Sequence, residues 1–459
     1  MYNKQYITIL KEENPNELAK LINENLANTE NLLFILEALG KLPSTFSADW
    51  ILDLCYHSNY KVRLWAVKTL GKINTNDLNI LESIAINDNN TMVRREAVSS
   101  IGRQRNPDSI PFLLKILNDL DPKIVCQAIR ALLVYKGNDD VDFTLNELRK
   151  HPNEMVLSII EKEYNQNIDE AQKRNHCYTN PILENVTVNG DVLDVLKYVE
   201  DESFHLTFTS PPYYNARDYS IYQSYNEYLE FLNTVFKEVL RTTKEGRFLI
   251  VNTSPVIVPR ISRAHSSKRY PIPFDLHCYL TKMGWEFIDD IIWQKPEYSV
   301  KNRIGGFQQH RKPLAYKPNT TTEYLMVYRK HTSKLIDWNI KQYSIETVEQ
   351  SKVADGFETT NVWQICPKSD KVHSAVFPEE LCKRVVEYYS FVGDLVFDPF
   401  GGSGTLGRVA RALNRKAFLT EKNPEYFEYI KSFENHNGKL FANTKTKFYT
   451  LEEFIKLYK

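Results

Sequence analysis

Apolar residues in the first third of the chain recur every 31 residues, at 62, 93 and 124 among other positions, and predict a stack of similar helical units. Within a unit they stand three or four positions apart, the period of a helix with one buried face. The best-matched positions are Val62, Ala66, Val67 and Leu70, then Val93, Ala97, Val98 and Ile101, then Ile124, Ala128, Ile129 and Leu132. Such a unit cannot bury its apolar face alone, so stacking is expected.

Polar residues before the predicted helices support this interpretation, because Asn and Asp are favoured at caps and turns. They are Asn59, Asp88, Asn89, Asn90 and Asp121. The pattern, over about residues 25 to 165, resembles the short bacterial HEAT repeat. We therefore predict an all-α HEAT-like solenoid over 1–165 and a polar linker over 166–185. The resemblance implies a docking surface for DNA or for a protein partner, and the sequence leaves both open.

After Val186 short β-rich segments alternate with amphipathic helices, which predicts an α/β, Rossmann-like, mostly parallel and doubly wound sheet over 186–459. Ligands of such sheets bind beyond the carboxyl ends of the strands. The predicted strands are Val186–Val188, His205–Thr209, Arg247–Asn252, Phe287–Trp293, Thr322–Tyr328, Leu395–Phe397 and Ala417–Thr420. The predicted helices are Val192–Tyr198, Tyr225–Thr242, Asp275–Met283, Pro378–Tyr389, Thr405–Leu413 and Pro424–Lys431.

Composition is that of a globular protein, with 42% apolar and 25% charged residues and no apolar run of membrane-spanning length. The N-terminal residues lack the apolar core of a secretion signal, and the six cysteines form no C-x-x-C pair. We therefore expect a cytoplasmic bacterial or archaeal protein without a metal site. The 58 basic and 58 acidic residues balance, but 260–331 holds thirteen Lys or Arg against six Asp or Glu. Such a local excess suits phosphate contact.

The sequence TSPPYY follows a predicted strand and carries Ser210, Pro211, Pro212 and Tyr213. Consecutive prolines fix the backbone and remove two donors, leaving carbonyl acceptors beside a hydroxyl and an aromatic ring. That combination suits a planar base with an exocyclic amino group, stacked on Tyr213 and accepted by the Ser210 oxygen and the Pro211 carbonyl. Acceptors placed where positive charge develops stabilise the transition state of attack by the amine. We therefore predict a catalytic loop.

The sequence DPFGGSGTLG from Asp398 contains G-x-G-x-x-G, with Glu421 about twenty residues later. This pattern also opens NAD-binding sheets, but too little chain follows for such a sheet. No G-K-[ST] follows the glycines, which excludes a P-loop. A helix starting near Thr405 directs its N-terminal N–H groups at an anion, and Glu421 is placed to accept from a ribose diol.

Together TSPPYY and DPFGGSGT resemble the two signatures of amino DNA methyltransferases that use S-adenosylmethionine, in the permuted order of the β class. Ser as the first motif residue resembles the cytosine-N4 branch. The resemblance covers about 186–430. The cofactor residues that it implies, apart from the Glu421 already named, are Asp191, Phe377, Pro378, Asp398, Phe400, Gly402, Gly404 and Thr405. Ser374 replaces the proline usual beside His373, a mild departure.

DNA reading is expected in 255–273, 298–318 and 331–361, of which the first two are basic and rich in aromatics. The candidate DNA-binding residues are Arg260, Arg263, Lys268, Arg269, Arg303, Arg311 and Lys312. The sequence thus predicts a site-specific methyltransferase acting on cytosine N4 in duplex DNA, with a restriction nuclease as a conceivable partner. Three alternatives stay open: adenine-N6 methylation, an RNA-directed enzyme of the same fold, and a scaffold with a vestigial catalytic domain.

Overall fold

The structure is a computed structural model of the 459-residue chain. It describes residues 3–40, 42, 49–73, 78–164, 176–214, 222–258, 268–300, 313–314, 319–353, 356, 358–368, 376–437 and 445–458. The chain divides into two compact units, Met1–Asp169 and Glu170–Lys459. No described helix has both the length and the apolar character needed to span a bilayer.

The first unit is the predicted helical solenoid. Its helices are α1 (Lys4–Glu13), α2 (Pro15–Glu24), α3 (Thr29–Ala38), α4 (Trp50–Leu54), α5 (Tyr60–Leu70), α6 (Leu78–Asn87), α7 (Thr91–Gln104), α8 (Ile110–Ile116), α9 (Pro122–Leu132), α10 (Asp139–Glu147) and α11 (Glu154–Tyr164). The repeated apolar positions of α5, α7 and α9 are all buried in one core. Odd-numbered helices pack side by side from α1 to α11, with the even-numbered helices beside them.

The predicted caps divide into two kinds. The side chains of Asn59, Asn90 and Asp121 accept from the first turns of α5, α7 and α9, as expected. Asp88 caps no helix; instead it pairs with Arg63 at 2.7 Å and so joins two successive units. Asn89 likewise accepts from Arg63 rather than capping a helix.

The second unit contains a nine-stranded sheet and a separate hairpin. Its strands are β1 (Val186–Asn189), β2 (Phe204–Thr209), β3 (Thr243–Thr253), β4 (Val256–Val258), β5 (Lys268–Tyr270), β6 (Trp285–Gln294), β7 (Thr322–Lys330), β8 (Val362–Gln364), β9 (Leu395–Asp398), β10 (Lys416–Glu421) and β11 (Lys447–Thr450). Its helices are α12 (Val192–Leu196), α13 (Tyr225–Thr242), α14 (Ile272–Met283), α15 (Ile336–Ile340), α16 (Ile345–Gln350), α17 (Glu379–Tyr389), α18 (Thr405–Ala412), α19 (Pro424–Asn437) and α20 (Leu451–Lys456).

The order of the large sheet is β11-β1-β10-β9-β2-β3-β7-β6-β8, and among these described strands β7 alone runs antiparallel to its neighbours. Alternate residues of β3 and β9 belong to two different cores: Leu249 and Phe397 to one, Ile250 and Val396 to the other. The sheet is therefore buried on both faces, and the predicted mostly parallel, doubly wound fold is confirmed. The hairpin pairs β4 with β5.

The segment 176–185, predicted as linker, packs into the second unit. Leu183 is fully buried, and Lys416 Nζ contacts both Thr179 Oγ1 at 2.7 Å and Glu184 Oε1 at 2.6 Å. Residues 165–175 lie outside the described part of the chain. The buried apolar side chain and the paired lysine explain why this polar sequence is ordered.

Candidate active site

The predicted catalytic and cofactor loops meet at one edge of the sheet because β2 and β9 are hydrogen-bonded neighbours. The hydroxyl of Thr209, the last residue of β2, donates to the carboxylate of Asp398, the last residue of β9, at 2.7 Å. The backbone N–H of Phe400 donates to the same carboxylate oxygen at 3.0 Å. Asp398 therefore joins the two loops. Burial raises its pKa to about 6.

Glu421 stands at the end of β10 and holds the glycine loop. One carboxylate oxygen accepts from Gly402 N at 2.7 Å, and the other accepts from Asn423 N at 2.8 Å. Burial raises the Glu421 pKa to about 7, although these two N–H groups oppose the shift. The predicted acid thus faces the glycine loop, as a ribose-binding residue requires.

The glycine loop has the backbone geometry that only glycine adopts readily. Gly402 and Gly404 have φ of 53° and 71°, and a Cβ on Gly404 would lie 2.9 Å from Ile430 Cγ2. No side chain caps the first turn of α18, which begins at Thr405, so its N–H groups are left for a ligand. This cradle fits the carboxylate of S-adenosylmethionine, and Glu421 fits its ribose.

The remaining predicted cofactor residues border this cradle. Asp191 caps α12 and pairs with Lys422 at 3.0 Å, beside Glu421. Phe377 stacks on Phe208 of β2 with ring centroids 4.6 Å apart, and Pro378 precedes α17. Asp191, Asp398, Glu421 and the glycine loop therefore lie at the carboxyl edge of the sheet, and Phe377 contacts the strand that leads to the catalytic loop. His373 lies outside the described residues.

Arg408 is a cofactor-loop residue that the sequence interpretation missed. Its buried guanidinium donates to Ser403 O at 2.6 Å and to Thr405 Oγ1 at 3.2 Å, and it lies 4.3 Å from the centroid of the Phe433 ring. These contacts hold the glycine loop in place. The signal in the sequence was an arginine at a position of α18 where a buried apolar residue would be expected.

The catalytic loop leaves β2 at Ser210 and is anchored by its second tyrosine. Tyr214 is buried against Tyr225 and Tyr270, with centroid distances of 5.3 Å and 4.8 Å. Pro211 is buried, whereas Ser210, Pro212 and Tyr213 are partly exposed. The loop therefore presents the serine and the first tyrosine while the second tyrosine is held in place.

The Tyr213 phenol is held by residues from two other strands. Its hydroxyl donates to Glu323 Oε2, near the start of β7, at 3.0 Å. Glu323 is paired with Lys295, which follows β6 and lies over the Trp293 ring. Burial and the neighbouring Glu323 carboxylate raise the Tyr213 pKa well above its usual value, and hydrogen bonds from Ser210 and Ser254 oppose this shift. Glu323 and Lys295 were not predicted.

Ser210 acts in this arrangement as a donor to the phenol oxygen. A hydroxyl has one hydrogen and two lone pairs, so the lone pairs of Ser210 stay available to accept from a bound amine. The acceptor role expected of the first motif residue stays a prediction.

The predicted DNA-reading segments are placed differently from one another. Lys268 and Arg269 are exposed on β5, whose hairpin follows β3 at the catalytic edge. Arg260, Arg263, Arg303, Arg311 and Lys312 lie outside the described residues.

The insert 331–361 lies mainly at the opposite edge. Lys334 pairs with Glu245 near the start of β3 at 2.7 Å, and Tyr343 contacts Asp394 before β9. These polar contacts hold the insert at the edge opposite the catalytic loop. We therefore do not include it among the DNA-binding segments. Within the described ranges no cluster of His, Cys, Asp or Glu could hold a metal ion.

Comparison with known proteins assigns the family. A DNA methylase model matches residues 204–432. The type II methyltransferase M.Cfr9I of Citrobacter freundii is 30% identical over 272 residues, covering 52% of this chain and 84% of that protein. The chain belongs to the DNA methylase family. The predicted family is confirmed, and with it dependence on S-adenosylmethionine.

Other relatives of this methylase match over the same region. The type II β methyltransferase M.BslI of a Bacillus species is 29% identical over 252 residues, covering 52% of this chain but only 26% of that protein. A putative DNA modification methylase of Thermus thermophilus, solved with S-adenosylmethionine, is 26% identical with a TM-score of 0.47, covering 58% of this chain and 98% of that chain. A model of HEAT repeats matches residues 78–161, which confirms the repeat assignment.

Proposed function

We propose that this methylase transfers a methyl group from S-adenosylmethionine to the N4 amino group of cytosine in duplex DNA, within a specific sequence. The observation that carries the proposal is Ser210, the partly exposed residue that directly follows β2 and lies within hydrogen-bonding reach of Tyr213. Serine at this position, rather than aspartate or asparagine, is the feature that favours cytosine.

The target base would be flipped out of the duplex, which costs roughly a few kcal/mol. Its ring stacks on Tyr213, and its amino hydrogens are accepted by the Ser210 oxygen and the Pro211 carbonyl. These bonds favour a tetrahedral nitrogen with a free lone pair and stabilise the positive charge that develops on it. No covalent enzyme intermediate is required.

S-adenosylmethionine supplies an electrophilic methyl group. Asp398, Glu421 and the first turn of α18 would hold the cofactor beside the catalytic loop, since the Thr209–Asp398 hydrogen bond joins the two. The amine nitrogen forms the new bond to the methyl carbon, the carbon–sulfur bond breaks with its electron pair left on sulfur, and the nitrogen then releases one proton to water.

Several relatives are named type II methyltransferases, and one from Bacillus amyloliquefaciens is named an orphan methyltransferase. We propose that this methylase serves a restriction-modification or related defence system in the cytoplasm. In such a system the protein partner would be a cognate restriction nuclease.

The decisive experiment is mass spectrometry of nucleosides from duplex DNA incubated with the purified protein and S-adenosylmethionine. N4-methylcytosine is expected. N6-methyladenine alone would overturn the cytosine assignment, and methylation of RNA alone would overturn the choice of nucleic acid. Failure to bind labelled cofactor would favour the scaffold alternative.

A further inference from the structure

Positive charge in the solenoid is concentrated on one layer of helices. Three central helices of this layer, α5, α7 and α9, pack side by side. They carry eight Lys or Arg (Lys61, Arg63, Lys68, Arg94, Arg95, Arg103, Lys123 and Arg130) against one acid, Glu96. The helices beside them, α4, α6 and α8, carry one Lys against two acids. The two sides of the solenoid therefore differ in charge.

Three of the arginines have structural roles. Arg63 pairs with Asp88 and Arg95 with Asp121, each at 2.7 Å, so that one unit is tied to the next. Arg94 donates to Asp88 O at 3.1 Å. These contacts explain why the arginines are present, and we set them aside.

Five cations of these helices remain, and with Lys72, which follows α5, they form what we call the basic stripe: Lys61, Lys68, Lys72, Arg103, Lys123 and Arg130. They occupy equivalent positions of the 31-residue repeat: Lys61 matches Lys123, Lys68 matches Arg130, and Lys72 matches Arg103. Residues 61, 68 and 72 are seven and four apart, which places them on one side of a helical path. Lys61, Arg103, Lys123 and Arg130 are exposed, and the other two are partly exposed.

The charges of the stripe lie close enough to repel one another. Burial lowers the pKa of Lys72, and the nearby cations Lys68 and Arg103 lower it further, with Glu96 opposing them. Lys72 also donates to Gly40 O at 2.6 Å, at the end of α3, which gives it a structural role. Lys68 and Arg130 form no hydrogen bond or ion pair with any residue that the structure describes, although Lys68 lies 4.3 Å from the Trp65 ring centroid.

We propose that the basic stripe binds the phosphate backbone of duplex DNA. Eleven helical residues span about 16 Å, a length over which one DNA strand presents roughly five phosphates. Four of the six cations are exposed, and the one acid of these helices, Glu96, pairs with Arg103. A row with this excess of positive charge suits such a polyanion, and phosphates would relieve the repulsion around Lys72. This inference depends on the proposed function, because it takes duplex DNA to be the substrate. The stripe contributes affinity rather than recognition of bases.

The test compares two double variants of the full-length protein. Lys68→Ala/Arg130→Ala removes two stripe cations that form no hydrogen bond or ion pair among the described residues; Lys68 contacts the Trp65 ring. Lys20→Ala/Lys115→Ala is the matched control, because it removes two exposed lysines from even-numbered helices. Binding of a labelled duplex is followed by fluorescence anisotropy over a range of salt concentrations.

In the stripe variant the slope of log K against log salt is expected to fall by about 1.8, since each lost phosphate contact removes about 0.9. The KM for DNA rises, whereas kcat at saturating DNA and the Kd for S-adenosylmethionine stay at the wild-type values. Equal slopes in the stripe and control variants would overturn the proposal and favour a protein partner. This outcome is distinguishable from failure of the proposed function, in which wild-type protein methylates no DNA.

Discussion

The Tyr213 phenol lies between the Ser210 hydroxyl and the Glu323 carboxylate. Glu323 therefore affects catalysis indirectly, by positioning Tyr213. A stacking ring must keep its position, and a hydrogen bond of 3.0 Å to a carboxylate paired with Lys295 holds the phenol oxygen in place. Glu323 is therefore a positioning residue. It touches neither the base nor the cofactor in the proposed mechanism.

Glu323→Ala is expected to lower kcat about 10- to 100-fold, because one hydrogen bond to a charged group contributes about 1.5–3 kcal/mol. The Kd for S-adenosylmethionine should not change. Glu323→Gln retains an acceptor for the phenol and should recover most of kcat. Steady-state kinetics with both variants separate this role from general destabilisation, which would affect cofactor binding too. Equal losses in the two variants would contradict it.

Ser210→Ala removes an acceptor that is used only as the amine becomes tetrahedral. We expect methylation to fall by roughly 100-fold, the scale found on removing one preorganised transition-state partner. Cofactor affinity should persist, because Ser210 belongs to the catalytic loop. Single-turnover assays and equilibrium cofactor titration measure the two quantities. Unchanged turnover would refute the acceptor role.

The two buried carboxyls of the cofactor site predict a pH dependence. Their pKa values, about 6 for Asp398 and about 7 for Glu421, lie above those of an unfolded chain. Their contribution to stability is therefore present below pH 4 and is lost as pH rises through 6 and 7. A positively charged sulfonium and hydroxyl donors favour the ionised forms. Cofactor binding should thus tighten from pH 5 to pH 8 and release protons.

Calorimetry at pH 6 in buffers of different ionisation enthalpy measures this proton release directly. Glu421→Gln removes the group with the higher pKa and should flatten most of the dependence between pH 6 and pH 8. Wild-type affinity that is constant over pH 5 to pH 8 would show that neither carboxyl changes charge on binding.

Candidate site residues could be named from the sequence where one local motif carries them, as for Ser210, Tyr213 and Gly404. Glu323 and Lys295 act on Tyr213 from positions about a hundred residues away in the chain. Only the pairing of β7 with β6 and β3 brings them together. A single sequence contains no local signal for such contacts.

At the scale of elements, the glycine loop that leads into α18 is the part of the site whose backbone conformation is most restricted. Gly404→Ala places a Cβ at positive φ and 2.9 Å from Ile430, so the loop must shift. Cofactor affinity should fall by roughly 5- to 150-fold, since backbone strain of this kind costs about 1–3 kcal/mol. Isothermal titration measures it.

Gly407→Ala is the matched control for this variant. Its Cβ would meet the end of the flexible Leu419 side chain at 2.9 Å, inside α18 and away from positive φ. We expect a change in thermal stability with cofactor affinity retained. Equal losses of affinity in the two variants would show that helix packing, not loop conformation, limits binding.

Seven strands of the large sheet were predicted because each contains buried apolar residues within a β-rich segment, although in β6 the buried positions are isolated. The short edge strands β8 and β11 and the hairpin strands β4 and β5 were not, because each has only three or four residues and none contains a run of buried residues. β11 joins the sheet by pairing with β1, from Val186–Lys447 to Asn189–Thr450. Such strands are set by tertiary pairing rather than by local pattern.

At the scale of the whole molecule, the solenoid core and the two sheet cores share no residue. All predicted catalytic and cofactor residues belong to the second unit, whereas the basic stripe belongs to the first. Ligands should therefore stabilise the two units selectively, since a ligand that binds only the folded form stabilises by about 2.7 kcal/mol at a hundredfold excess over Kd.

Hydrogen exchange of the full-length protein, read by peptide, can test this division. S-adenosylmethionine should protect peptides around β9, α18 and β10 and leave α5, α7 and α9 unchanged. Duplex DNA should add protection along those three solenoid helices, and Lys68→Ala/Arg130→Ala should remove that added protection alone. Protection of the solenoid by cofactor without DNA would contradict this selectivity.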